Sequence, residues 1–243
     1  MIALLTDFGD APYVGVMKAV ISNIIPGEPL IDLYHHVLPH NIREGAWILY
    51  SNYHYFPKRT VFLVVVDPGV GGTRLPLAIK SRDYYFVGPD NGILMPAVND
   101  NGGIVSAVAL ERKQSSQTFE GRDVFAPAAA KLAAGSPLEA LGKPAAVAAN
   151  LKFYLRGREG EIVHIDRFGN IITNIPAIPG KHEYNVRIQG KTFTLPYYPS
   201  YVYAPEQSLM LTKSSANTLE IALPNGKASS HFNYPIGTRL IIS

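Results

Sequence analysis

The sequence predicts an α/β N-terminal domain with a largely parallel sheet, followed by a small all-β, barrel-like C-terminal domain. Three observations carry this expectation. Over the first 150 residues, short β-branched runs alternate with segments of helical periodicity, the pattern of strand–helix–strand layers. Beyond about residue 150 no long helical pattern remains, and short β-branched runs are separated by Gly, Pro and Asn. Between the two textures lies LKFYLRGREG, which reads as a linker. The expected division is residues 1–150, a linker at 151–160, and residues 161–243. There is no internal repeat and no low-complexity tract.

Residues 2–6 form an apolar run that stops at Asp7 and read as the first strand. Residues 12–25 place Val14, Met17, Val20, Ile21, Ile24 and Ile25 at helical spacing, with Pro12 suited to the first turn and Pro26-Gly27 as the stop. Residues 30–33 are a second strand. Asn41-Ile-Arg-Glu44 is a capping pattern ahead of the helix NIREGAWILYSNYHYF. Residues 60–66 are the most β-branched run and read as a buried central strand. LPLAIKS and YYFVGPDNGIL are strand-like runs around Ser81-Arg-Asp83, and residues 104–110 are another. VFAPAAAKLAAG reads as a helix ended by Gly135, and Ser136-Pro-Leu-Glu139 as the start of a further helix. In the second half GEIVHIDRFGNIITNI, EYNVRIQGKTFTL, SLMLTKS, NTLEIAL and TRLIIS supply the strands.

Composition narrows the function classes. Charged residues make up 17% of the 243, below the ~25% usual for soluble domains, and the chain carries ten Phe, fourteen Tyr and one Trp. Either a large core or apolar surface covered by other subunits accounts for this. The formal charge is +3 with no run of Lys or Arg, so nucleic acid is not an expected partner. The absence of cysteine excludes disulfides, thiol catalysis and Cys-based zinc sites. No apolar run approaches the ~18 residues of a membrane span. The start, MIALLTDFGD, lacks the basic region of a signal peptide, and the expected location is the cytoplasm.

Several polar residues share one kind of position. Asp7, His35 and Asp67 directly follow apolar strands, and Asp90 follows YYFVGP. In open α/β sheets the carboxyl ends of strands line the binding crevice, so together these residues mark a small-molecule site. One alone would be an ordinary turn or cap residue. The loop VVVDPGVGGTR (64–74) fails the phosphate templates, because no Lys follows its glycines and Arg74 stands where a dinucleotide fingerprint needs Gly. Its glycines either admit a ligand close to the backbone or fold the loop so that Arg74 returns to Asp67, as a structural bridge or to orient a water. In TFEGRDVFAP, Asp123 suits a cap and Arg122 an ion pair. His35, His36 and His40 lack metal-ligand spacing. No Gly-x-Ser-x-Gly elbow is present. DRFGNIITN (166–174) is either a hairpin turn or a holder for a purine or amino acid.

TDFGDAPYVGVMK, VVDPGVGGTR, VGPDNGIL, TFEGRDVFAPAAAKLAAG, IDRFGNIITNI and SANTLEIALPNGKA stand in the order found in one family and span nearly the whole chain. The chain resembles the S-adenosylmethionine hydroxide adenosyltransferases, the adenosine-forming S-adenosylmethionine hydrolases related to the fluorinating and chlorinating enzymes. The resemblance implies a homotrimer with substrate between the N-terminal domain of one subunit and the C-terminal domain of its neighbour. It implies attack of water on ribose C5′, with methionine leaving and adenosine formed, and no metal or cofactor. Asp7 is similar to the acid that holds the ribose hydroxyls, and His40 stands where relatives have an aromatic packed on the nucleoside. Asp67 and Arg74 match two members of a water-handling Asp–Arg–His triad. Asp166 and Ser215 match binders of the methionine end; Phe168 and Asn170 match adenine-side residues, and ALPNG would offer backbone groups to adenine.

Two departures stand out. Glu120 occupies the place of the triad histidine, where it either replaces the base or crowds Asp67 with negative charge. In KSSAN, Ser214 and Asn217 replace the Asn and Gly of the usual Asn-Ser-x-Gly. A sulfonium leaves as a neutral thioether, so the reaction needs an in-line nucleophile in a dry pocket rather than an acid. The competing expectations are a non-catalytic adenosine or S-adenosylmethionine binder and, more remotely, a halide-dependent adenosyl transfer.

Overall fold

The computed structural model describes residues 1–112 and 116–243. The chain divides into two units, Met1–Lys152 and Phe153–Ser243.

In the first unit, β1 (Ile2–Thr6) has all five residues buried, as a strand covered on both faces must. The strands β2 (Leu30–Tyr34), β3 (Val61–Val65), β4 (Pro76–Lys80), β5 (Tyr85–Pro89), β6 (Ser106–Leu110) and β7 (Gly142–Pro144) complete a seven-stranded sheet of order β2-β1-β3-β5-β4-β6-β7. Its β2, β1, β3 and β5 run parallel. The remaining pairs, β5–β4, β4–β6 and β6–β7, are antiparallel. The sheet is therefore mixed rather than largely parallel. The cause lies in the connection: β4 and β5 are joined by a tight turn in which Ser81 N donates to Tyr84 O at 3.0 Å. So short a link permits only an antiparallel hairpin, since a parallel pair needs a crossover of roughly a dozen residues.

Helix α1 (Tyr13–Ile24) buries Val14, Met17 and Ile21, and α2 (Ile42–Asn52) opens at the expected cap, where Asn41 Oδ1 accepts from Glu44 N at 3.0 Å. Glu44 Oε2 in turn accepts from Leu38 N at 2.7 Å, so the entry to α2 is fixed from both sides. Helix α3 (Met95–Asp100) is short. Helix α4 (Ala126–Ala133) follows a π-helical turn, Gly121–Phe125. The core of this unit lies where α1 and α4 pack on β1 and β3. The helix expected from Ser136 is a single 3₁₀ turn, Leu138–Ala140, because the chain enters β7 at once. At that entry a β-carbon on Gly142 would stand 1.9 Å from Ala109 O, so strand pairing there needs glycine.

The second unit holds β8 (Glu159–Ile165), β9 (Ile171–Pro176), β10 (Glu183–Ile188), β11 (Lys191–Pro196), β12 (Met210–Lys213), β13 (Thr218–Ala222) and β14 (Arg239–Ile242), with one short helix, α5 (Ala228–His231). All neighbours in the order β11-β10-β14-β8-β9-β13-β12 are antiparallel. A bridge between Tyr197 and Leu211 links the two edges, so the sheet is a nearly closed barrel. Alternation shows most clearly in β10, where Tyr184, Val186 and Ile188 point inward.

Candidate active site

The loop after β3 folds back on itself. Val70 N donates to Asp67 O and Gly72 N to Gly69 O, and Gly71 takes a φ of +75°. These turns return Arg74 to Asp67: Arg74 Nε donates to Asp67 Oδ1 at 3.1 Å and Nη2 pairs with Oδ2. The pair is a fork-on-carboxylate contact, with the Asp67 side chain 4% exposed. The Arg74 guanidinium also lies over the Phe125 ring, 5.6 Å from its centroid.

Glu120 joins the same cluster from the residue before the π-helical turn, a backbone feature frequent at functional sites. Its side chain is 2% exposed. Oε2 lies 2.5 Å from Arg74 Nη1, as an ion pair that lacks hydrogen-bond geometry. Oε1 accepts from Arg112 Nε at 2.7 Å, and Arg112 Nη2 donates to the Arg74 carbonyl at 2.5 Å. Two carboxylates therefore face two guanidinium groups, and the buried cluster carries no net formal charge. Burial works against the charge of Arg74, but Asp67 and Glu120 outweigh it and raise its pKa above the ordinary guanidinium value.

Arg112 escaped the sequence reading, although the signal was present. β6 runs antiparallel to β4, which runs antiparallel to β5. The carboxyl end of β6 thus lies at the same sheet edge as those of β1 and β3. Arg112 follows β6 by two residues, the kind of position that singled out Asp7 and Asp67.

Asp7 stands at that edge directly after β1, on the strand next to the one that leads into Asp67, since Thr6 and Val65 are in register. Asp7 Oδ2 accepts from His40 N at 2.9 Å, and His40 is exposed with a φ of +67°. Asp7 and His40 are thus brought together, as are Asp67, Arg74 and Glu120. His35 has both ring nitrogens engaged, with Thr6 Oγ1 at 2.9 Å and Asp32 Oδ1 at 2.8 Å. Asp90 accepts from Ala148 N and Ala149 N at 3.0 Å each, so it ties down a later segment. Asp123 pairs with Arg122 and accepts from Ser116 N at 2.8 Å; it makes no cap hydrogen bond to α4.

In the second unit, Asp166, Phe168 and Asn170 share the turn between β8 and β9. Asp166 Oδ1 accepts from Phe168 N and Asn170 N, and Oδ2 from Asn170 Nδ2, each at 2.9 Å. The hairpin turn is present, and the bonds that make it hold Asp166 in place and leave Phe168 67% exposed. The turn borders a cavity of about 980 Å³ that also takes in Tyr201, Leu223 and Asn225. Tyr201, missed in the sequence, donates its hydroxyl to the buried Glu220. Ser215 lies apart from that cavity lining, exposed in the β12–β13 turn. Both departures in that turn are physically mild. Asn217 adopts a φ of +63°, which Asn tolerates best after Gly, and Ser214 Oγ accepts from Ala216 N at 3.3 Å.

Residues 2–142 match the SAM hydroxide adenosyltransferase N-terminal domain and residues 160–241 the C-terminal domain. The chain is 38% identical over 239 residues to an (R)-S-adenosyl-L-methionine hydrolase from Thermus thermophilus, covering 92% of each chain. A fluorinase from an Actinoplanes species is 26% identical over 255 residues, with 84% of each chain covered. An uncharacterized conserved protein from Thermotoga maritima superposes with a TM-score of 0.93 at 37% identity, over all of both chains.

Proposed function

We propose that this chain, which belongs to the SAM hydroxide adenosyltransferase family, hydrolyses S-adenosylmethionine to adenosine and methionine. The observation that carries the reading is the Asp67–Arg74 pair at the carboxyl edge of parallel strands, in a chain 38% identical to a named hydrolase of that substrate.

In this reading a water held against Asp67 attacks ribose C5′. A new C5′–O bond forms as the C5′–S bond breaks, and its electron pair stays on sulfur, which leaves as the neutral thioether of methionine. The water's proton passes to Asp67, whose oxygens keep lone pairs beyond those used by Arg74. Glu120 lies between two guanidinium groups, those of Arg74 and Arg112, whereas Asp67 faces one, so the part of Glu120 is to hold Arg74 rather than to take the proton. Asp7 holds the ribose hydroxyls beside His40. Phe168 and Asn170 face the adenine, and Asp166 and Ser215 the amino-acid end. No cofactor enters this scheme. The reading includes a homotrimer in the cytoplasm whose neighbouring subunits complete each site; the exposed Phe168, Val202 and Tyr203 would suit such cover. Among the described residues no helix is long and apolar enough to cross a membrane.

A halide route is disfavoured because Asp67 places a carboxylate where the nucleophile approaches. The test is product analysis after incubation with S-adenosylmethionine, with and without chloride. Adenosine and methionine in equal amounts, independent of chloride, are expected. Intact substrate despite measured binding would leave a binding protein, and a 5′-chloro nucleoside would establish the halide route.

A further inference from the structure

We propose that Arg112 is a positioning residue of this site, one that lets two buried carboxylates share Arg74. The inference rests on the hydrolase reading above. Arg74 has a single guanidinium, and both Asp67 and Glu120 reach it. Without a second cation, the buried Glu120 would pull Arg74 away from Asp67, because an uncompensated carboxylate in that environment is strongly unfavourable. Arg112 supplies the missing charge. It also fixes geometry from a second direction, since Nε binds Glu120 Oε1 while Nη2 binds the Arg74 carbonyl. One planar fork thereby sets the distance between the Glu120 carboxylate and the Arg74 backbone. An ammonium could balance the charge but cannot span both acceptors in the same way.

Arg112 itself is one-third exposed, whereas the groups it holds are nearly inaccessible. It acts through Glu120 and Arg74, and substrate need not touch it. The arrangement predicts a fault that can be repaired. Removing the Arg112 charge leaves the cluster with one excess negative charge, and removing the Glu120 charge as well restores the balance.

The experiment measures adenosine release by the full chain carrying Arg112→Gln, Arg112→Lys, Glu120→Gln and the double change Arg112→Gln/Glu120→Gln. Arg112→Gln is expected to lower kcat about tenfold while KM stays within about twofold, a size typical of coupling between contacting residues. Arg112→Lys is expected to recover part of that loss, and the double variant is expected to exceed Arg112→Gln alone. Wild-type kcat in Arg112→Gln, a Lys variant no better than Gln, or a double variant no better than the single would each overturn the proposal. Circular dichroism identifies a misfolded Gln variant, and the Lys variant then decides. If the wild type releases no adenosine, the hydrolase reading falls and this inference with it; turnover unaffected by Arg112 removes the inference alone.

Discussion

A β-carbon placed on Gly71 would lie 2.2 Å from the carbonyl oxygen of Gln117. The loop that returns Arg74 is therefore seated directly on the strand-to-helix segment that delivers Glu120. Gly71 also needs a φ of +75°, so two independent constraints fix glycine there. Gly71→Ala is expected to destabilise the chain by about 1–3 kcal/mol, the cost of a strained backbone that must also shift, and to lower adenosine release at least about tenfold. Gly180 provides the control. It has the same φ of +75° with nothing within 4 Å, so Gly180→Ala should cost only about 1 kcal/mol and leave turnover unchanged. Urea unfolding and a kcat measurement on both variants check the contrast, and equal effects would count against it.

Asp67→Asn keeps the shape of the side chain and removes the charge opposite Arg74. Breaking one partner of a pair this buried is expected to cost about 3 kcal/mol. The proton acceptor is lost as well, so kcat should fall by about 10²-fold or more. If Asp67 were only a structural bridge, stability would drop while the remaining folded enzyme kept its kcat. Measuring kcat per folded molecule separates the two.

How far the sequence could be read depends on the range of each cause. The α2 cap, the stop of β1 at Thr6 and the return of Arg74 to Asp67 follow from residues within a few positions of one another, and each is found as expected. Strand alternation alone predicts a largely parallel sheet, but strand direction is set by whether each connection is long enough to cross over. The short turn at Ser81 is not. Glu120 was legible as a departure but its consequence was not. Whether it crowds Asp67 depends on Arg112, and only the β4–β6 pairing brings that residue back to the β3 edge.

Glu220 gives a pH dependence with a defined sign. Burial pushes its carboxyl above the ordinary 4.5, the Tyr201 hydroxyl pulls it down, and the charge of Asp166 adds to the rise. A carboxyl with a raised folded-state pKa binds its proton more tightly when folded. Its contribution to stability is full below about pH 4.5 and is lost as pH rises through the folded value. Glu220→Gln is permanently neutral, so it should gain on the wild type between about pH 4 and about pH 7.5. Urea midpoints at the two pH values test this. A variant that loses ground over that interval would show that the ionised Glu220 is stabilised in the fold.

Phe168 separates binding from folding. Its ring is 67% exposed, and the Arg167 guanidinium lies 5.9 Å from its centroid. Such a side chain contributes little to the barrel, so Phe168→Ala should change stability by no more than about 0.5 kcal/mol. By contrast, Phe125 is fully buried, and its truncation should cost about 3–5 kcal/mol. If Phe168 stacks on the adenine, its loss removes a contact of about 1–3 kcal/mol that substrate and transition state share. Uniform binding of that kind appears in KM and leaves kcat alone. Phe168→Ala is therefore expected to raise KM about tenfold at nearly constant kcat, with an unchanged urea midpoint. A variant with wild-type KM would remove Phe168 from the site. One with reduced kcat at constant KM would move it from the adenine to the reacting end.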